Sequence, residues 1–151
     1  MTETLENHPG EKQVWLSIVS EVTAQGDTDR TEFVTEGAFY RESDAECLSY
    51  RETEVSGMSG TTTTVRLEPD KVSVIRLGSV NALMEFEKGK RCVAMYTTPF
   101  GDVPLSIQTR AITVDRNEAN EPVQIHLDYV IGVEGKTNSV NTMTIEVRDR
   151  K

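Results

Sequence analysis

Four tight-turn signals between Thr61 and Val114 constrain this chain more than any other feature. Glu68-Pro69-Asp70-Lys71, Leu77-Gly78-Ser79-Val80, Lys88-Gly89 and Pro99-Phe100-Gly101-Asp102 each interrupt a run in which apolar and polar residues alternate. Alternation at period two marks a strand with one buried face, and a short turn fixes which residues of the flanking strands face each other. Strand register can therefore be worked out residue by residue.

An even-length turn centred on Pro69-Asp70 sets Leu67 opposite Val72, Val65 opposite Val74 and Thr63 opposite Arg76. A Gly78-Ser79 turn sets Arg76 opposite Asn81 and Val74 opposite Leu83. A Lys88-Gly89 turn sets Asn81 opposite Tyr96, Leu83 opposite Ala94 and Glu85 opposite Cys92. A Phe100-Gly101 turn sets Tyr96 opposite Leu105 and Ala94 opposite Ile107. If the Ser56–Gly60 loop preserves register, Tyr50 faces Thr63 and Glu52 faces Thr61. Directly opposed residues share a face. One face thus collects Val65, Leu67, Val72, Val74, Leu83, Ala94, Leu105 and Ile107, and it is the expected interior. Met84, Phe86, Val93 and Met95 fall on the outer face, an apolar patch whose natural use is an interface.

Extended runs also precede and follow this region, from Gln13, from Arg30 to Tyr40, from Glu46 to Glu54, and through Val123–Val133 and Asn138–Val147. Gly37-Ala38 is expected to mark a bend or bulge, and Arg41–Ala45 could hold a short turn of helix. About ten segments rich in Val, Thr, Ile and Tyr, with short connections and no helical period, leave a sandwich or a barrel. Sequential connections favour an all-β, up-and-down antiparallel barrel of eight to ten strands, which also removes exposed edges. Residues 1–11 read as a disordered acidic tail ahead of a single barrel domain, 12–151.

Sixteen Lys and Arg stand against 25 Asp and Glu, a formal net charge of −9. Such a balance tells against a nucleic-acid partner and against anionic membrane surfaces, since both demand a cationic face. Cys47 and Cys92 lie far apart in strand-like segments and read as free thiols of a reducing compartment. With no basic–apolar leader and no membrane-spanning run, the expected location is the cytoplasm.

The expected interior is not uniformly apolar. Tyr50, Thr63, Arg76, Asn81 and Tyr96 form a band across five strands, with Glu52, Thr61 and Thr98 one layer nearer one end. A guanidinium is rarely buried unless paired, and Glu52 or Glu85 could pair with it. Two readings follow. Arg76 grips a small amphipathic or anionic molecule in the lumen, flanked by Tyr50, Thr63, Asn81, Tyr96 and Thr98, or it closes the barrel end by packing on Trp15 or Tyr50, satisfied internally.

Catalytic chemistry finds little support. His8 lies in the tail, and His126 is out of phase with Val123, Ile125, Leu127 and Tyr129 and should face solvent. Asp128 beside it makes at most half a metal site. No nucleophile–base pair, phosphate loop, metal site or cofactor motif is evident. Glu52 and Glu85 are the only interior acids, and a salt link to Arg76 explains either. The expectation is a non-catalytic protein without cofactor. It would bind a small molecule in its lumen or, alternatively, form a homodimer or bind a partner through Met84, Phe86, Val93 and Met95.

Gly37-Ala38-Phe39-Tyr40, Leu48-Ser49-Tyr50-Arg51-Glu52, Thr61–Val65, Val74-Ile75-Arg76-Leu77-Gly78, Met84-Glu85-Phe86, Tyr96–Gly101, Ile107-Gln108-Thr109, Leu127-Asp128-Tyr129 and Asn141–Ile145 together resemble the YwiB-like family of bacterial proteins, domain of unknown function family 1934. The match spans most of Gln13 to Val147. The resemblance implies a calycin-like barrel of about eight main strands, similar in architecture to lipocalins and fatty-acid-binding proteins, and it implies no activity. The lipocalin Gly-x-Trp motif is absent, because Trp15 follows Gln13-Val14.

Overall fold

A computed structural model describes residues 10–150, so most of the expected acidic tail, His8 included, lies outside the described residues. Ten strands follow one another: β1 (Lys12–Ala24), β2 (Asp27–Glu42), β3 (Ala45–Arg51), β4 (Thr61–Leu67), β5 (Val72–Gly78), β6 (Ala82–Phe86), β7 (Arg91–Thr98), β8 (Gly101–Arg116), β9 (Pro122–Gly132) and β10 (Ser139–Asp149). They form one antiparallel sheet in the order β6-β5-β4-β3-β2-β1-β10-β9-β8-β7. Pairing of β1 with β10 joins the first and last strands. The sheet then curls until its two outer strands, β6 and β7, meet at a single bridge between Asn81 and Thr97. The result is a nearly closed up-and-down barrel, and a 3-10 turn at Glu54–Ser56 is the one helical element among the described residues. No helix among the described residues is long and apolar enough to cross a membrane.

The core follows the period-two pattern. Val14, Leu16 and Ile18 of β1, Val65 and Leu67 of β4, Val72 and Val74 of β5, Ile107 of β8, Ile125 and Leu127 of β9 and Ile145 of β10 are all buried in one apolar cluster. Gly37 carries no bulge, because β2 keeps continuous register with β1 and with β3. Its role is close approach, since a Cβ there would lie 2.6 Å from Leu16 Cδ1 and 2.8 Å from the Ser49 carbonyl oxygen. The irregularity sits instead in β8, where register with β9 shifts between Thr109 and Ala111. Arg41–Ala45 forms a tight turn between β2 and β3 rather than a helical one, with Ser43 at positive φ.

Register holds where the turn has even length and slips where it does not. Thr63 opposite Arg76, Val65 opposite Val74 and Leu67 opposite Val72 are all observed, as is Tyr50 opposite Thr63. Between β5 and β6, however, Arg76 pairs with Ala82 and Val74 with Met84. The connection is centred on Ser79 and has an odd length. Asn81 fixes it, its side chain donating to the Gly78 carbonyl at 2.8 Å and accepting from the Gly78 N–H at 3.1 Å. A slip of one residue turns every side chain of a strand over. Met84 and Phe86 are therefore buried in the core, not on the outer face, and Leu83 is exposed rather than interior.

The β7–β8 turn is centred on Pro99-Phe100 rather than Phe100-Gly101, so Tyr96 faces Val103 and Ala94 faces Leu105. That shift of two residues preserves the faces of β7 and β8, and Ile107 is buried as expected. Ala94 stays buried although Leu83 does not, because the β6–β7 hairpin also slips by one, Asn81 pairing with Thr97 rather than Tyr96.

The slipped register has a direct test. Leu83→Lys should change stability by no more than about 0.5 kcal/mol in denaturant unfolding, as at an ordinary surface position. Met84→Lys should unfold the protein, and Phe86→Ala should cost about 3–5 kcal/mol.

Candidate functional site

Three neighbouring strands build the polar cluster. Tyr50 on β3, Thr63 on β4 and Arg76 on β5 stand in one row across the sheet. Glu52 lies just beyond β3, where its N–H bonds the Thr61 carbonyl at 2.8 Å and keeps it in step with β4. All of these side chains are buried, Arg76 being only 6% exposed.

Within the row, the Thr63 hydroxyl donates to Glu52 Oε2 at 2.6 Å. Arg76 Nε lies 3.8 Å from the same oxygen. That separation gives Coulomb attraction without a hydrogen bond. Arg76 Nε has no hydrogen-bond partner among the described residues, and neither does Thr109 Oγ1 on β8. The Tyr50 phenol lies against Glu52 and Thr63. Burial first, and the Glu52 charge second, raise its pKa well above that of an ordinary tyrosine, while Arg76 pulls the other way.

Tyr129 reaches the same space from β9, across the barrel. Its pKa is also raised, mainly by burial; the Arg76 charge opposes that shift and Tyr96 adds to it. Its ring packs against Phe86 at 4.7 Å between centroids and 64° between planes. Tyr96 on β7 donates its phenol to Met58 Sδ at 3.2 Å, bringing the loop after β3 to the edge of the cluster.

The structure thus gathers Arg76, Glu52, Thr63 and Tyr50, with Tyr96 at their margin. The other expected members lie elsewhere. Asn81 is exposed and clamps Gly78. Glu85 is turned outward by the register slip, and Lys71 Nζ holds it at 2.8 Å. Thr98 closes its hairpin, donating to the Gly101 carbonyl at 3.0 Å. Leu105 lines an open groove with Val93, Ser106 and Gly132, apart from the cluster. Of the expected interface residues, Val93 and Met95 are exposed, and Met84 and Phe86 belong to the core. Trp15 is on the outer surface, its ring 5.5 Å from the Arg150 guanidinium, and does not pack on Arg76.

Tyr129 went unassigned in the sequence reading, although its alternation with Ile125 and Leu127 places it inward. His126 is half-buried and shares a 2.8 Å hydrogen bond with Thr144, while Asp128 pairs with Arg110 at 2.8 Å. No group of His, Cys, Asp and Glu among the described residues could hold a metal ion. Cys47 and Cys92 are free, and burial raises the pKa of the Cys47 thiol.

An up-and-down β-barrel of ten strands, enclosing a carboxylate–guanidinium pair within a mainly apolar core, is the class that fold and cluster define. Residues 16–145 match the family described as domain of unknown function DUF1934, and the chain belongs to it. It is 29% identical over 136 residues to YwiB of Bacillus subtilis (strain 168), described as an uncharacterized beta-barrel protein, an alignment covering 90% of this chain and 94% of that one. The crystal structure of the ywiB protein from Bacillus subtilis has the same fold, with a TM-score of 0.76 at 25% identity over 93% of this chain and 94% of that one. The family resemblance read from the sequence is thereby established, and with it the barrel.

Two measurements probe the cluster. Glu52→Gln leaves Arg76 as a buried charge without a counter-ion and should cost about 3–5 kcal/mol in denaturant unfolding. Thr63→Val removes one donor to the carboxylate and should cost about 1–3 kcal/mol.

Alkaline titration gives an independent check. Folded Tyr50 and Tyr129 hold their protons above the ordinary tyrosine range. Their contribution to stability is therefore complete below about pH 10 and falls away as pH rises through their folded values. Phenolate absorbance of these two residues should appear together with loss of the β-sheet circular dichroism signal. Ionisation near pH 10 in a still-folded barrel would contradict the burial.

Proposed function

We propose that this protein is a non-catalytic binding protein of the bacterial cytoplasm, a calycin-like barrel that holds a small anionic or amphipathic molecule by its acidic group at Arg76. One observation carries this reading. Arg76 is buried, yet its Nε has no hydrogen-bond partner among the described residues and its counter-ion stands 3.8 Å away. Buried polar groups are nearly always hydrogen-bonded, and an exception calls for an occupant such as a water or a ligand.

A carboxylate or phosphate oxygen supplies the missing acceptor, and Arg binds such groups through its planar fork. Tyr96 and Tyr129 would orient the bound group from the opposite side. Thr63 and Tyr50 hold Glu52, which keeps Arg76 from being an isolated charge when the site is empty. Glu52 is thus committed to a structural pair, which supports binding over acid catalysis. Buried apolar side chains from strands all round the barrel pack in one cluster, which favours a short ligand over a long-chain one.

Native mass spectrometry of protein purified gently from its own host tests the reading, beside a denatured and refolded control. The expected result is a discrete additional mass, lost on refolding and absent from Arg76→Met. A charge-assisted hydrogen bond contributes about 1.5–3 kcal/mol, so Arg76→Met should weaken rebinding of that molecule by roughly tenfold to a hundredfold. Equal occupancy of parent and variant would sink the assignment.

The exposure of Leu83 at 52%, Val93 at 75% and Met95 at 51% favours a second reading, self-association through the outer face of β6 and β7. Sedimentation equilibrium should then show a dimer that Met95→Lys dissociates. A monomer mass unchanged up to high concentration would remove this reading.

A further inference from the structure

Backbone pairing in the β7–β8 hairpin arranges its outward side chains in rows. Arg91 stands beside Gln108, Val93 beside Ser106, Met95 beside Pro104 and Thr97 beside Asp102. Ala94 and Tyr96, between them, turn toward the core. The middle rows are apolar and open to solvent, with Val93, Met95 and Pro104 all exposed. Register extended from the Asn81–Thr97 bridge brings exposed Leu83 alongside Met95 and widens this stripe onto β6.

A charge of opposite sign closes each end of the stripe. Arg91 is exposed in the first row and Asp102 in the last. Neither forms an ion pair within the chain among the described residues. Glu85, which falls alongside Val93 in the same register, is already held by Lys71 Nζ at 2.8 Å.

Reversed end to end, this order of cation, apolar, apolar and anion is complementary to itself. Two sheets packed face to face keep their strands within about 30° of one another. Let a two-fold axis lie in the contact plane, cross β7 at right angles and pass between Val93 and Met95. The rows of one copy then meet those of the other in opposite order. Arg91 lies over the Thr97–Asp102 row of the second copy and Val93 over its Met95, and each contact occurs twice, as isologous association requires. The Pro104 ring comes over the row of Ser106 and Gly132, where the missing side chain opens a groove beside Val93 and Leu105.

Charge also favours a second copy as the occupant. The chain carries a net charge of −9, so two copies repel each other at long range. On this face the charges balance, Arg91 against Asp102 and Lys71 against Glu85, and reversed stacking brings unlike charges together.

We propose that the outer face of the β7–β8 hairpin is an isologous homodimer interface, in which Arg91 of each copy pairs with Asp102 of the other around a Val93–Met95 centre. This deepens the self-association reading above and rests on it for the choice of surface.

Sedimentation equilibrium of charge-reversed variants is the test. Arg91→Asp and Asp102→Arg each place like charges at both ends of the contact, and each should weaken self-association at least about tenfold. An equimolar mixture of the two variants restores both unlike pairs, and so does the double variant in one chain. Mixture and double variant should associate within about threefold of the parent's dissociation constant. Both positions are exposed, so circular dichroism and the unfolding midpoint should stay at the parent's values. A parent dimer that Met95→Lys dissociates, with a mixture no tighter than either variant alone, keeps the surface and overturns the pairing. Single variants that associate as tightly as the parent overturn the pairing as well. A parent that stays monomeric up to high concentration overturns surface and pairing together.

Discussion

The pair between Glu52 and Arg76 is the interaction on which the rest of this structure depends. A single charge in a small barrel would cost several kcal/mol, and the opposite charge beside it offsets that cost only when both are held in place. Here the holding is done by register. Tyr50, Thr63 and Arg76 occupy one row across β3, β4 and β5, and Glu52 is kept in step by a backbone bond to Thr61. Sliding β5, or β3 with the Glu52 that follows it, by one residue would carry a charge to the outer face and leave its partner buried alone. The pair thus acts as a register lock for this wall of the barrel, and its incomplete hydrogen bonding is what turns the lock into a candidate site.

The adjoining wall is assembled differently. The β5–β6 connection has odd length, and the Asn81 side chain takes the place of a strand partner by bonding both backbone groups of Gly78. This clamp determines that Met84 and Phe86 fill the core while Leu83 meets solvent. It also sets Asn81 up as half of the one bridge to β7. Beyond that bridge the two strands remain neighbours without a ladder, so the barrel is held shut there by side-chain packing.

How far the site was legible in the sequence depends on turn parity. Pro69-Asp70 admits only a tight even turn, which sets Thr63 opposite Arg76. Tyr50 and Glu52 join that row only on the condition that the Ser56–Gly60 loop preserves register, a condition the structure meets. Gly78-Ser79-Val80-Asn81 admits either parity. Sequence does not reveal that the Asn81 amide would fold back on Gly78, and the error carried Asn81, Glu85, Met84 and Phe86 to the wrong faces together. The Pro99–Gly101 turn was misplaced by one residue, which shifted partners by two and so kept the faces of β7 and β8. Tyr129 was missed for another reason. Its inward phase was visible, but only closure of the sheet through β1 and β10 brings β9 opposite β5, and no local pattern encodes that proximity.

The central claim is that Arg76 Nε is a buried donor waiting for an anionic acceptor. The most direct measurement is the arginine 15Nε–1Hε NMR spectrum of the folded protein, with the Arg76 resonance assigned by its loss in Arg76→Met, recorded during titration with acetate and then phosphate. A saturable downfield shift of the Arg76 1Hε, with slowed exchange of that proton with water and the other arginines unmoved, is the predicted result. An Arg76 resonance that stays unchanged at high concentrations of both anions would contradict it and leave the guanidinium as a structural strut of the barrel.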